Sequence, residues 1–335
     1  MQLKNITKTK IRKKVVYLNK SAVGNGEHKL EGRLNTVWRN VRRDYALLIM
    51  MIVPIAFFII FCYVPMYGII ISFQDFKLGS SFFGNVKWVG LRWYQEFFRS
   101  PLTRRVIVNT VMFNVLTLVF VFPLPILLSV VLNEVKRARL KGFIQTVSYL
   151  PYFLSTTVVV AIFAKFLTTE GGVVNKIIET MGMEKIPFMQ KADWFRPLFL
   201  ISEAWQSTGF NCIIFLAAIA GISPTLYEAA YMDGGTRLKN IWYITLPSIK
   251  PTIIIMLILR MGSSMTIGFE KILLMYGPTT FETADVISTY IYRMGISQYR
   301  LSYATAMGLF NSVVNISILL LTNTVCRKLT EISLW

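Results

Sequence analysis

The sequence predicts an all-α membrane protein that crosses the bilayer six times, and three observations lead there. The chain of 335 residues is 54% hydrophobic and only 16% charged, with a mean hydropathy of +0.52, outside the range of an ordinary soluble domain. Six stretches, 45–73, 106–133, 143–164, 197–222, 252–269 and 301–326, are apolar over about the 20 helical residues that span roughly 30 Å of hydrocarbon. Twelve Lys and Arg crowd into the 43 residues before the first span. Even with a formal charge of +19, that asymmetry is a positive-inside signal and not a nucleic-acid footprint.

Residues 1–43 are basic and polar and read as a cytoplasmic tail; residues 44–335 form the membrane domain. Within "LNTVWRNVRRDYALL", Leu34, Val37, Trp38 and Val41 recur at helical spacing with Arg39, Arg42 and Arg43 between them. This fits either a helix on the anionic inner leaflet or the anchor of the first span. The first apolar run is too long for a signal peptide and reads as a retained span. Six crossings put both termini in the cytoplasm, with the loops around "NEVKRARLKG" and "EAAYMDGG". The first outer loop carries Lys77, Lys87, Arg92, Arg99, Arg104 and Arg105 against the charge rule, while the outer loops 165–196 and 270–300 are roughly balanced. An amphipathic helix is expected at 173–181.

Pro54 and Pro65 in the first span, Pro123 and Pro125 in the second and Pro151 in the third each remove a helical hydrogen bond, so kinks are expected there. Cys62, Cys212 and Cys326 fall inside spans without metal or disulfide spacing and read as small buried hydrophobes.

The chemistry of an enzyme is missing. The single histidine, His28, lies in the tail, so a His triad or a His-ligated metal is excluded. No G-x-x-x-x-G-K-[ST] phosphate loop occurs, and no span contains paired carboxylates. An energy source must therefore lie in another subunit or in an ion gradient; in the second case the chain is a gradient-driven secondary transporter or channel, with Glu203 and Arg260 as its coupling charges.

Polar groups inside spans usually face the bundle interior or water. Glu203, Gln206, Phe210 and Asn211 lie close to one face of the fourth span, and Asn311, Asn315 and Thr322 share a face of the sixth. Arg260 sits about 12 Å into the fifth. These residues read either as a hydrated passage lined by amides and aromatics or as hydrogen bonding that glues the helices, worth about 0.6 to 2 kcal/mol per contact.

Between the fourth and fifth spans runs "GISPTLYEAAYMDGGTRLKNIWYITLPSIKPT". Ser223 is expected to cap a helix of about nine residues, roughly 13 Å long, whose first position is Pro224. Leu226, Ala229 and Ala230, with or without Tyr227, would form its apolar face, and Gly234 or Gly235 its left-handed stop. A second short helix through "RLKNIWYIT" is expected to end where Pro247 and Pro251 break the chain.

The positions Glu228-Ala229-Ala230, Asp233-Gly234, Ile244-Thr245-Leu246-Pro247 and Pro251 resemble the EAA loop of binding-protein-dependent ABC importer permeases, held in register across the stretch from Glu228 to Pro251. "VFPLPILLSVVLNEVKRARLKGFIQTVSYLPYFLSTTVV" and the ending "RKLTEISLW" are similar to the branch of maltose-type sugar permeases that import oligosaccharides from polysaccharides and complex glycans. The resemblance covers about residues 43 to 335. It implies a type I ABC importer permease fold in a bacterial cytoplasmic (inner) membrane. It also implies a second homologous permease, two cytoplasmic ATPase subunits that use ATP and Mg, and an extracellular or periplasmic sugar-binding protein. No cofactor is expected on this chain. The coupling role would fall within residues 223–251, on Glu228, Ala229, Ala230, Asp233, Gly234, Gly235, Leu246 and Pro247. Gly235 departs from the family's usual alanine, which is expected to loosen the turn.

Overall fold

The computed structural model describes residues 43–80, 84, 86–266 and 268–334. The basic tail up to residue 42, with its expected interfacial helix and His28, lies outside them. Among the described residues every regular element is helical, and the one strand-like pairing is an isolated bridge between Gln74 and Trp88.

In chain order the helices are α1 (Tyr45–Phe73), α2 (Arg92–Arg99), α3 (Pro101–Glu134), α4 (Ala138–Phe153), α5 (Thr156–Leu167), α6 (Val173–Thr180), α7 (Ala192–Ala220), α8 (Pro224–Met232), α9 (Arg237–Gly262), α10 (Phe269–Met275), α11 (Phe281–Ala284), α12 (Ile287–Tyr292) and α13 (Leu301–Thr330). Four of them, α1, α3, α9 and α13, are long and apolar enough to cross a membrane. Two further pairs reach that standard only together, α4 with α5 bent by 102° and α7 with α8 bent by 69°.

The chain divides into two compact units after Gly68. In the first, α1 from Tyr45 to Gly68 has no charged side chain, and its apolar residues are exposed around the whole helix, Val53, Phe61 and Tyr63 among them. Such a helix suits lipid or another helix and not water. Cys62 is exposed there, against the expectation of a buried cysteine; Cys212 is buried and Cys326 intermediate.

The second unit is the helical bundle. Here α7 packs along α3 and α4, and α9 packs on α13 and α7. Gly209 marks the tightest crossing, since a Cβ on it would sit 1.9 Å from the carbonyl oxygen of Ser148. Only a residue without a side chain lets α7 approach α4 that closely. Two large apolar clusters fill one end of the bundle, one around Phe113, Phe195, Phe199 and Ile272, the other around Phe97, Tyr290 and Tyr303. The other end has a small one, Val130, Ile219 and Ile249.

Prolines shape the long helices in a recurring way. Wide, π-type turns occupy Ile59–Tyr63, Thr117–Val121 and Ile241–Thr245, and each ends two residues before a proline, Pro65, Pro123 or Pro247. The residue just before each proline donates its N–H to the carbonyl five back: Val64 to Ile59, Phe122 to Thr117 and Leu246 to Ile241. Slipping the ladder by one residue makes room for the ring, while the residue before the proline keeps its own hydrogen bond. So Pro247 and Pro251 do not break the chain as expected; α9 runs through both.

The third expected span is not one helix. Pro151 lies in a tight turn at Leu150–Phe153, and the Ser155 side chain accepts from the Val158 N–H at 3.3 Å to start α5 in a new direction. The fifth expected span, 252–269, is shifted: α9 stops at Gly262, and a left-handed Gly268 (φ 64°) precedes α10. The outer helix expected at 173–181 is α6, one residue shorter.

Candidate functional site

Two regions hold many of the residues singled out by the sequence, the connection α7–α8–α9 and a polar strip between α7, α9 and α10; the others lie at the α4–α5 break and on α13.

In the connection, α8 has the nine residues expected. Ser223 occupies its N-cap position with no cap hydrogen bond; its hydroxyl meets that of Thr225 at 2.7 Å, which corrects the expected cap. Pro224 fills the first turn, where no N–H is needed. The C-terminus is closed by two bonds, Gly234 N–H to Tyr231 O at 3.1 Å and Gly235 N–H to Ala230 O at 2.7 Å, the pattern of a Schellman motif. Gly234 adopts φ 74°, as a left-handed stop requires. Gly235 does not; a Cβ there would lie 2.5 Å from Ala230 O and 2.9 Å from Asn240 Oδ1. The expectation that glycine loosens this turn is thus reversed, because its missing side chain lets the chain close tightly.

No residue of α8 is buried. Glu228 and Ala229 are exposed, Met232 is 88% exposed, and Tyr243 on α9 is 80% exposed. One side-chain bond ties α8 to α9, Tyr227 Oη to Thr245 Oγ1 at 2.9 Å. Asp233 is exposed, as is Pro247, while Leu246 packs against the small Val130 cluster. The site is a short helix fixed in direction at its base, with its flank exposed.

In the strip, Lys271 Nζ on α10 lies 2.7 Å from Glu203 Oε2 on α7, a pair joining residues 68 apart in sequence. Ser207, one turn on, donates to Glu203 O at 2.7 Å. Ser207, Asn211 and Arg260 line a cavity of about 160 Å3 whose other walls include Val121, Phe215 and Met256. The structure therefore brings Glu203, Asn211 and Arg260 into one region. Gln206 and Phe210 turn elsewhere: Gln206 Nε2 donates to Leu154 O at 3.2 Å, at the break between α4 and α5, and Phe210 stacks on Tyr152 with centroids 3.9 Å apart. On α13, Asn315 Oδ1 accepts from the Met265 N–H at 2.8 Å just beyond the end of α9, and Asn311 is buried with its Oδ1 unmatched by any donor among the described residues. Thr322 lies further along α13, half-buried.

Lys271 escaped sequence reasoning because it fell in a stretch read as outer loop, although a lone lysine inside "FEKILLM" was a signal. Among the described residues no group of His, Cys, Asp and Glu could hold a metal ion.

Comparison with known proteins bears on both regions. A family model described as the inner membrane component of binding-protein-dependent transport systems matches residues 121–331. Protein LplB of Bacillus subtilis is 43% identical over 291 residues, 87% of this chain and 91% of the relative. The polygalacturonan/rhamnogalacturonan transport system permease protein YteP of the same organism is 40% identical over 304 residues, 90% and 94% of the two chains. A solved bacterial ABC transporter involved in the import of the acidic polysaccharide alginate is 41% identical with a TM-score of 0.82, over 88% of this chain and 99% of that one. The alginate transporter solved in complex with its alginate pentasaccharide-bound periplasmic protein is equally similar, at 40% identity and 0.82, over 89% and 99%.

Proposed function

The chain belongs to the family of inner membrane components of binding-protein-dependent transport systems, and on that premise we propose that it is the permease subunit of an ATP-driven oligosaccharide importer, coupled to a separate ATPase through α8. The carrying observation is α8 itself. A nine-residue helix is too short to persist on its own, yet none of its residues is buried in this chain. Its direction is set by the Schellman closure and the Tyr227 bond, which is what a mechanical contact with a partner needs.

In this reading the chain crosses the membrane six times, α4 with α5 supplying the third crossing and α7 the fourth, with both termini and α8 in the cytoplasm. Cysteines near Gly172 and Thr280 would then react with an impermeant label from outside, and cysteines near Lys136 and Thr236 would not. A second permease would complete the passage, an outer binding protein would deliver sugar, and two ATPase subunits would use ATP and Mg. Glu203, Gln206, Phe210, Asn211, Arg260, Asn311 and Asn315 would border the passage. The pairing of Glu203 with Lys271 speaks against an ion-gradient mechanism, because a coupling carboxylate has to be free to exchange its ion.

The test is co-purification of the tagged chain with its ATPase, joined to sugar uptake in proteoliposomes. ATPase should accompany the wild type, and uptake should require ATP. Uptake that follows an ion gradient without ATP would reject the reading.

A further inference from the structure

Among the three charges gathered where α7, α9 and α10 meet, Glu203, Lys271 and Arg260, one positive charge is left over. Lys271 and Glu203 neutralise each other at 2.7 Å, with side chains only 4% and 22% exposed. Arg260 feels the field of Glu203 but joins no ion pair among the described residues, and its Nη2, shut off from solvent, meets no acceptor there. A guanidinium stays charged at any physiological pH. Placed in low-dielectric surroundings without a partner it is unfavourable, and an anion is what relieves it.

The space beside it has the form of a receptor. The cavity of about 160 Å3 has Arg260, Asn211 and Ser207 as its polar lining and Val121, Phe215 and Met256 among its apolar walls, a volume on the order of what admits one six-membered ring. The guanidinium fork matches a carboxylate with two parallel hydrogen bonds. The amide of Asn211 and the hydroxyl of Ser207 suit ring hydroxyls, and the apolar wall suits the face of a pyranose.

We propose that Arg260 is the charge-selecting residue of the passage and that the cargo is a uronate-containing, acidic oligosaccharide. Resting on the importer reading above, this adds that the sugar's carboxylate compensates Arg260 in transit, with Glu203 held out of competition by Lys271.

The test uses the complete importer in proteoliposomes, with trigalacturonate and its carboxyl-reduced, neutral counterpart each presented on saturating binding protein, and reads the ratio of the two uptake rates. Arg260→Gln should lower the ratio of acidic to neutral uptake at least tenfold, and Arg260→Lys should keep it within about threefold of wild type. Should Arg260→Gln not assemble, Asn211→Asp decides instead, since a carboxylate facing Arg260 would occupy it and lower the ratio in the same way. A wild type that carries only trigalacturonate, with uptake lost in the Gln variant and kept in the Lys variant, supports the charge assignment equally. An unchanged ratio, an equal loss of both sugars, or a wild type that carries only the neutral sugar overturns the charge assignment and leaves the importer intact. Wild-type uptake of neither sugar overturns the acidic-cargo assignment alone, whereas uptake that follows an ion gradient without ATP removes both readings.

Discussion

At the Ala192 end of α7, Asp285 is buried and holds Arg293 through hydrogen bonds of 3.0 and 2.5 Å while accepting from Thr289 at 2.9 Å. Asn109 donates to the carbonyls of Glu282 and Asp285 and accepts from Arg196, and Thr283 reaches Ala192 O at 2.6 Å. At the Ala220 end, 29 residues and roughly 43 Å away, α8 is fixed by the Tyr227–Thr245 bond and its C-terminal turn, with its flank exposed. The first end is tied together by charged and polar side chains of this one chain. The second carries large apolar side chains in the open, Met232 and Tyr243 above all, and has one side-chain bond to hold it. Under the proposed function, a braced end and a lightly held one are what a part that transmits motion between two partners requires.

That contrast can be broken most forcefully at the first end. Asp285→Ala leaves Arg293 without its partner and removes the acceptor of Thr289, so a loss of about 3 to 5 kcal/mol in chain stability is expected. Thermal unfolding of the purified complex in detergent measures it, and an unchanged melting curve would mean the network is ornamental.

Asn175 on α6 comes next. Its amide donates to Leu167 O, Thr168 O and Ile186 O and accepts from the Ile186 N–H, which pins the 165–196 segment to the Phe195 cluster. Replacing it with alanine should destabilise the chain by about 1 to 3 kcal/mol, because buried backbone groups are left unmatched. Protease digestion between Lys165 and Arg196 should quicken; equal digestion rates would refute this.

At the second end the effects should move from stability to assembly. Gly234→Val forces a β-branched residue into φ 74°, a penalty of about 1 to 2 kcal/mol confined to the α8 turn. The melting curve should barely shift while co-purifying ATPase falls severalfold. Loss of folding with ATPase retained would reverse the comparison.

Smallest of all in stability should be Glu228→Ala, an exposed position with no partner in the described structure. Its melting point should match wild type within error, and the change should be read in stimulation of ATP hydrolysis by loaded binding protein. Normal stimulation in both this variant and Gly234→Val would remove coupling from α8.

The sequence made α8 legible to the residue because its limits are local chemistry: a proline at the first turn and a glycine able to take positive φ. Four of the apolar spans, now α1, α3, α9 and α13, were legible by length and apolarity, though the bounds of α9 were not. What stayed hidden depended on partners far along the chain. Lys271 reads as loop until α10 folds back beside Glu203, 68 residues away. Gln206 and Phe210 share a helical face with Glu203, but whether that face meets a passage or the break at Leu154 is decided by where α4 bends. Pro247 and Pro251 looked like stops because the one-residue slip that accommodates Pro247 has no signature in the wheel pattern.

That slip also sets an angle. Successive residues of an α-helix are turned by about 100° around its axis, and a π-type turn inserts one residue without adding a full turn. Everything in α9 beyond Ile241–Thr245 is therefore rotated by roughly a quarter circle from where an ideal wheel drawn from Arg237 would put it. The five residues act as an indexing ring between two parts of a single shaft: they fix which compass bearing Arg260 takes into the bundle for a given bearing of α8 outside it.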